Sequence, residues 1–291
     1  MDLSYSLGNL KIKYRALDEA QAHYISNFLK NIRGNFKPFF IEIEANRKGL
    51  KEEFKEGLQV PHKGEDFPFG WELKEKDGRF LVYVGKYDGC FAFERKGKEG
   101  IKIELDENLT YNNVLKIGTM DLLQISAPYM TRGILIEVEG KGFLITGKSK
   151  SGKTSLFMQL IKFFDLSLIS EERVIVENGH GFRVTTEGFV RTIQPNQYFD
   201  FSKIVNIKDT SKIDFVLECS TSSDFLKEVQ IYESLKPFHR DWFLNVFTKE
   251  EIEKMVEEKQ KEIKKIKARA YRINPNNFNE VKEVFSRFIR G

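Results

Sequence analysis

Cysteine is nearly absent: Cys90 and Cys219 are the only two in 291 residues. So far apart, they make no metal-ligand spacing and no disulfide framework, and both are expected as buried thiols in a reducing compartment. Long apolar runs are missing as well. No stretch approaches the roughly 20 residues a membrane-spanning helix needs, and Met1-Asp2-Leu3-Ser4-Tyr5 lacks the basic and apolar regions of a secretory signal. The expectation is a cytoplasmic protein with no membrane partner. Nor is there an excess of one charge. The 47 basic and 43 acidic residues leave only +4, which gives no reason to expect nucleic acid as a partner. No internal repeat is visible. What is present is a globular composition, 41% hydrophobic with 26 phenylalanines, in a chain long enough for one large domain or two ordinary ones.

One run carries chemistry. Gly147-Lys148-Ser149-Lys150-Ser151-Gly152-Lys153-Thr154 has the spacing of a phosphate-binding loop. Gly142-Phe143-Leu144-Ile145-Thr146 before it reads as a buried strand. In the segment after it, Leu156, Phe157, Leu160 and Ile161 fall on one helical face. Strand, glycine-rich turn and helix start are the context such a loop requires. Gly147 and Gly152 allow the backbone to turn successive N–H groups toward an anion, and the new helix adds its positive end. Lys153 reaches toward the β- and γ-phosphates, and the Thr154 hydroxyl suits Mg²⁺. Residues 147–155, Ser155 included, are therefore the expected nucleotide-binding set. Lys148 and Lys150 add positive charge to the loop.

The fold class expected is α/β in two parts, an N-terminal α+β module over 1–112 and a nucleotide-binding domain over 113–291. In the first part, 10–14 and 39–44 read as strands and 18–32 as a helix. Asp77-Gly78 and Asp88-Gly89 signal hairpins in a mostly antiparallel sheet with one helix and no cluster of catalytic residue types. The segment 45–68 reads as a surface loop or short helix, with His62 solvated. In the second part, 113–126 is an expected helix. The turn Glu139-Gly140-Lys141-Gly142 makes a hairpin whose second strand feeds the phosphate loop. Residues 166–170 are a strand, with 173–176 continuing extended. Asn178-Gly179 is a turn, 182–185 a return strand and 213–218 a core strand. Thr248-Lys249-Glu250-Glu251 is a capping box opening a charged helix to about 267, followed by a strand at 268–273 and a closing helix at 277–289.

A Mg-nucleotide site also needs a carboxylate, and Glu171-Glu172 falls at a strand end shortly after the loop helix. On an extended chain adjacent side chains point to opposite faces, so only one of the pair reaches the site unless a turn brings in both. The run from Arg132 through the Gly140-Lys141-Gly142 turn and the loop, on to Glu171-Glu172-Arg173-Val174, resembles the catalytic domain of HPr kinase/phosphorylase. It also resembles the wider HPr-kinase-like group with the phosphoenolpyruvate-carboxykinase type of P-loop. The resemblance covers about 130–195. It implies that 147–154 wrap the phosphates, Lys153 contacts the transferring group and Thr154 helps hold Mg²⁺. It further implies that the family's paired aspartates fall on Glu171 and Glu172, with Glu171 the general base and both glutamates near the metal.

The chain departs from the family in two places. A family histidine corresponds to Arg132, which cannot shuttle a proton but can contact a substrate or phosphate. The family's segment for binding HPr has no counterpart over 190–201, so HPr is not the expected acceptor. The implied activity is ATP- and Mg-dependent transfer of the γ-phosphoryl group to a hydroxyl on a protein, peptide or small molecule, by a chain that could form a homo-oligomer. A nucleotide-binding regulatory protein with lost catalysis and a simple NTPase remain alternatives. His180 is expected in a loop. His239-Arg240-Asp241-Trp242 reads as a helix start with a partly buried Trp242, the alternative being contact with a nucleotide base or phosphate. The charges of the helix after Thr248 are those of a solvated face.

Overall fold

The computed structural model describes residues 1–65, 70–111, 114–189, 198–221 and 226–290. Two compact units are present. The first comprises Met1–Lys30, Asn35–Ala127 and Phe238–Glu257; the second comprises Asn31–Gly34, Pro128–Pro237 and Glu258–Gly291. The helix Val114–Ser126 and the segment Phe238–Glu257 thus belong with the N-terminal strands. Among the described residues no helix is long and apolar enough to cross a membrane.

The first unit is built on an eight-stranded sheet. Leu10–Arg15 alternates buried and outward residues, as a strand with one covered face must. It runs parallel to Phe39–Glu44, which runs parallel to Gly100–Leu105. The remaining neighbours are antiparallel. Asp77 and Gly78 take φ of 53° and 77°, the paired positive values of a two-residue hairpin turn. Glu19–Lys30 is the expected first helix, Leu50–Glu56 is a short helix within the 45–68 segment, and 113–126 is helical as Val114–Ser126; the helix Glu107–Tyr111 is an addition. Of the predicted 113–126 helix, Asn113 lies outside the described residues, as do 66–68 of the 45–68 segment. Glu19–Lys30 starts on a reciprocal cap, with the Asp18 N–H donating to Gln21 Oε1 (2.9 Å) and the Gln21 N–H to Asp18 Oδ1 (2.8 Å).

One expectation for this unit fails because the partners are distant in sequence. His62 is not solvated: Nδ1 lies 2.8 Å from Asn245 Oδ1 and Nε2 lies 2.8 Å from Asp241 Oδ1. Asp241 also accepts the Glu65 N–H at 2.7 Å, so polar residues do gather here. The run at 239–242 is the expected helix start, with Asp241 preceding the short helix Trp242–Val246. Trp242 is buried, and its indole N–H donates to Asp121 Oδ2 at 3.2 Å.

The second unit carries a seven-stranded sheet and a four-stranded sheet. Ile134–Val138 and Lys141–Thr146 form the expected hairpin, with Ile134 opposite Ile145 and Val138 opposite Lys141. Its turn is only Glu139-Gly140, at φ 48° and 78°, so Lys141 and Gly142 are already strand. Lys141–Thr146 then pairs in parallel with Phe215–Cys219, and that strand with Arg269–Ile273. The period of two divides the hairpin's residues between two cores. Ile134, Ile136, Phe143 and Ile145 face the helices Lys153–Leu160 and Phe278–Arg290 through Leu156, Phe157, Phe285 and Ile289. Leu135 and Leu144 face Tyr129, Val174, Val176 and Ile263.

The 166–170 strand ends before Glu171-Glu172 and Val174–Glu177 is extended as expected, but the chain turns sharply between them and Val174–Glu177 enters the other sheet. The return strand is His180–Arg183 rather than 182–185, placing His180 on a strand but exposed. The capping box at Thr248 is present in both directions. The Thr248 N–H donates to Glu251 Oε2 (2.8 Å) and the Glu251 N–H to Thr248 Oγ1 (3.2 Å), opening the helix Lys249–Lys264. Both cysteines are buried and unbridged.

Gly142 is the tight point of the sheet. A Cβ there would lie 1.8 Å from the Lys212 carbonyl oxygen. Backbone must shift to admit it, so Gly142→Ala is expected to destabilise the protein by about 3 kcal/mol or more, read as a lower midpoint in urea unfolding.

Candidate functional site

Strand register brings the loop and the acidic pair to one end of the seven-stranded sheet. Ile134 lies opposite Ile145 while Leu135 lies opposite Ser170, so the segments that follow Thr146 and Ser170 leave the sheet side by side. Because Lys141–Thr146, Phe215–Cys219 and Arg269–Ile273 run parallel, this end is the carboxyl end of those strands, where open α/β sheets place ligands.

The loop is shaped by residues in left-handed conformation: Gly147 at φ 130°, Lys150 at 67° and Gly152 at 95°. Gly147 also lacks room for a side chain, since a Cβ would meet the Cys219 carbonyl oxygen at 2.6 Å. Gly152 is the N-cap of Lys153–Leu160. The Lys153 ammonium folds back onto the loop, donating to the carbonyl oxygens of Gly147 and Lys148 at 2.8 Å each.

The acidic pair sits on a turn that no local pattern announces. The Arg173 N–H donates to the Glu171 carbonyl oxygen at 2.8 Å, across Glu172 at φ 68°. That is a γ-turn of the positive-φ form, rare and strained for a residue with a side chain. Surrounding bonds hold it. The Glu171 N–H donates to the Thr185 carbonyl and the Gly133 N–H to the Glu172 carbonyl, while Ser170 Oγ donates to the Arg173 carbonyl at 2.6 Å. The turn decides the question of sidedness, because both glutamates line one cavity.

That cavity has a volume of about 330 Å³, lined by Arg132, Gly133, Ile134, residues 149–155, Met158, Glu171 and Glu172. Of the expected nucleotide-binding set, Gly147 and Lys148 stay out of the lining and meet the site through their carbonyls, while the other seven face it. Gly133, Ile134 and Met158 are additions that sequence reasoning missed. The glycine before the first hairpin strand was the only available signal, and a Cβ at Gly133 would meet the Ile145 carbonyl oxygen at 2.7 Å. Thr154 Oγ1 donates to Glu171 Oε1 at 3.3 Å, which joins the helix start to the acidic turn. Glu171 is buried; Glu172 Oε2 and Ser151 Oγ are buried and have no hydrogen-bond partner among the described residues.

Charge in the cavity is held under tension. The Lys153 ammonium is pushed down to about 8, first by burial and then by the Arg132 guanidinium. A polyanion would favour its charged form. Nucleotide affinity is therefore expected to be level below about pH 8 as far as Lys153 is concerned. Above that it should fall by up to roughly tenfold per pH unit, since binding must then take up a proton. Lys153→Arg, which stays protonated, should remove that slope in titrations from pH 7 to 9.5. Stability runs the other way. A lysine whose folded pKa is lowered contributes stability above its ordinary unfolded pKa, and that contribution is lost as pH falls through about 8.

No family model and no curated protein matches the chain. Among solved structures, the HPr(Ser) kinase/phosphatase from Coxiella burnetii is similar at 16% sequence identity and a TM-score of 0.27, over 31% of this chain. The chain spans 63% of the length of that protein. The likeness is partial. Residues 190–197, in the stretch where the sequence lacks a counterpart to the HPr-binding segment, lie outside the described residues.

Proposed function

We propose that the second unit binds a Mg–nucleoside triphosphate, ATP in the first instance, and transfers its γ-phosphoryl group to a hydroxyl, as an HPr-kinase-like phosphotransferase whose acceptor is not HPr. The observation that carries this reading is the shared cavity: Lys153, Thr154 and the loop residues on one wall, Glu171 and Glu172 on the other. The residues suit the ion. Thr154 Oγ1 and the Glu171 carboxylate are hard oxygen donors beside a buried Glu172 oxygen that lacks a partner. Among the described residues no group of three or more His, Cys, Asp or Glu side chains is placed to hold a metal. That suits an ion bound through one or two carboxylates and the phosphates themselves. Bound there, Mg²⁺ would supply charge neutralisation on the polyphosphate.

The chain's own groups then have separate tasks. Lys153 exchanges the Gly147 and Lys148 carbonyls for phosphate oxygens. The loop N–H groups and the helix start hold the anion. Glu171, oriented by the Thr154 hydroxyl, accepts the proton of the acceptor hydroxyl as its oxygen attacks the γ-phosphorus and the bond from that phosphorus to the bridging oxygen breaks, releasing ADP. Arg132, also in the lining, contacts the phosphate or the acceptor. The catalysis asked of such a site is positioning and charge compensation.

The test is the fate of labelled γ-phosphate in the presence of hydroxyl-bearing proteins, peptides and small molecules from a cell extract. Label appearing on an acceptor supports the kinase. Label released only as inorganic phosphate would make the protein an NTPase, and tight nucleotide binding with neither outcome would make it a regulatory binder.

A further inference from the structure

The first unit holds a second cavity, of about 250 Å³, with no part in the phosphoryl-transfer reading. Aromatic rings build its wall. Phe91 meets Trp71 at 5.5 Å and Trp242 at 5.0 Å between centroids, both edge-on. Such rings offer a large apolar surface. The polar groups at the cavity are few. Among the described residues Asp121 is the one carboxylate in the lining, and it is buried, accepting the Trp242 indole N–H with the Arg240 guanidinium 4.0 Å from the same oxygen. Lys86 is an exposed cation in the lining, with Nζ 3.3 Å from the Tyr87 hydroxyl. With Asp121 set against Arg240, Lys86 leaves one positive charge in excess among the described lining residues.

The space is kept open by a glycine. Gly118 lines the cavity from within the helix Val114–Ser126, and a Cβ built there meets nothing within 4 Å. Glycine is the least favourable residue after proline for a helix interior, so an alanine or leucine would fit the helix better. What the glycine does provide is room beside the rings.

The geometry points to a binding site for a small amphipathic carboxylate, its ring or short chain against Trp71, Phe91 and Trp242 and its carboxylate toward Lys86 and Arg240. The charge balance selects the sign. A cationic ligand would meet an aspartate already engaged by an indole N–H and a guanidinium, together with two repelling cations. An anion meets Lys86 in excess. An apolar body of ring size matches a pocket with few convergent polar groups.

The chain reports on this site by itself, because its only two tryptophans, Trp71 and Trp242, both line the cavity. Intrinsic tryptophan fluorescence of the full chain, titrated with 4-phenylbutyrate and with octanoate, is expected to change saturably. The matched amines, 4-phenylbutylamine and octylamine, should bind roughly tenfold more weakly or less. Gly118→Leu should fill the space and abolish the response, with circular dichroism and thermal midpoint unchanged or improved. Lys86→Glu, on the exposed rim, should weaken acid binding by roughly five- to tenfold and provides a second variant if Gly118→Leu folds poorly. The proposal is overturned if neither acid gives a saturable change up to about 5 mM. Amines binding as well as acids, or a folded Gly118→Leu that still responds, would overturn it equally.

Discussion

Glu171→Gln is expected to leave nucleotide affinity within a few fold and to lower the phosphoryl-transfer rate by roughly 10²- to 10⁴-fold, the range general-base assistance supplies. The amide keeps the size of the carboxylate and can still accept from Thr154 Oγ1, now 3.3 Å from Glu171 Oε1. What it loses is the capacity to take a proton and the negative charge. The turn should survive, since its bonds are made by main-chain atoms: the Glu171 carbonyl accepts from Arg173 and the Glu171 N–H donates to Thr185. Single-turnover transfer and equilibrium nucleotide binding, measured on one preparation, separate the two effects. Undiminished transfer would remove Glu171 as the base. A parallel loss of Mg-dependent binding would instead make the carboxylate chiefly an ion ligand.

Lys153→Ala is expected to weaken triphosphate binding by about 2–5 kcal/mol, the usual cost of truncating one partner of a desolvated charge pair. That is roughly a thirtyfold to several-thousandfold rise in Kd. The free protein should tolerate the change. In it, among the described residues, the ammonium bonds the Gly147 and Lys148 carbonyls, of which Lys148 is exposed and can turn to water. Removing a half-buried cation held near Arg132 even relieves repulsion, consistent with the lowered Lys153 pKa. Calorimetric titration with ATP and ADP should show the larger loss for ATP if Lys153 addresses the terminal phosphates. Equal affinity of wild type and variant for ATP would sink the assignment of this loop as the phosphate site.

Much of the phosphate loop was legible because its requirements are local. Glycines at 147 and 152 answer to positive φ, the apolar spacing of 156, 157 and 160 answers to one helical face, and Glu139-Gly140 answers to a two-residue hairpin turn. The capping box at Thr248 and Glu251 is of the same kind, two bonds within four residues. The acidic pair was legible only as a location. Whether one or both carboxylates faced the loop depended on a γ-turn at Glu172, and that turn is held by Thr185, Gly133 and Ser170. His62 was misread for the same reason: its partners, Asp241 and Asn245, lie far along the chain.

By itself, then, the chain's sequence determined a strand, a glycine-hinged anion loop and a helix in that order, with carboxylates a short distance beyond. Periodicity and turn chemistry act over a few residues and can be read there. The tertiary structure alone decided that Glu171 and Glu172 enter one cavity with Lys153, and that the helix at 114–126 and the segment at 238–257 close an aromatic pocket with the N-terminal sheet. Those outcomes rest on sheet register and on side chains meeting across long stretches of chain, which only the folded packing can select.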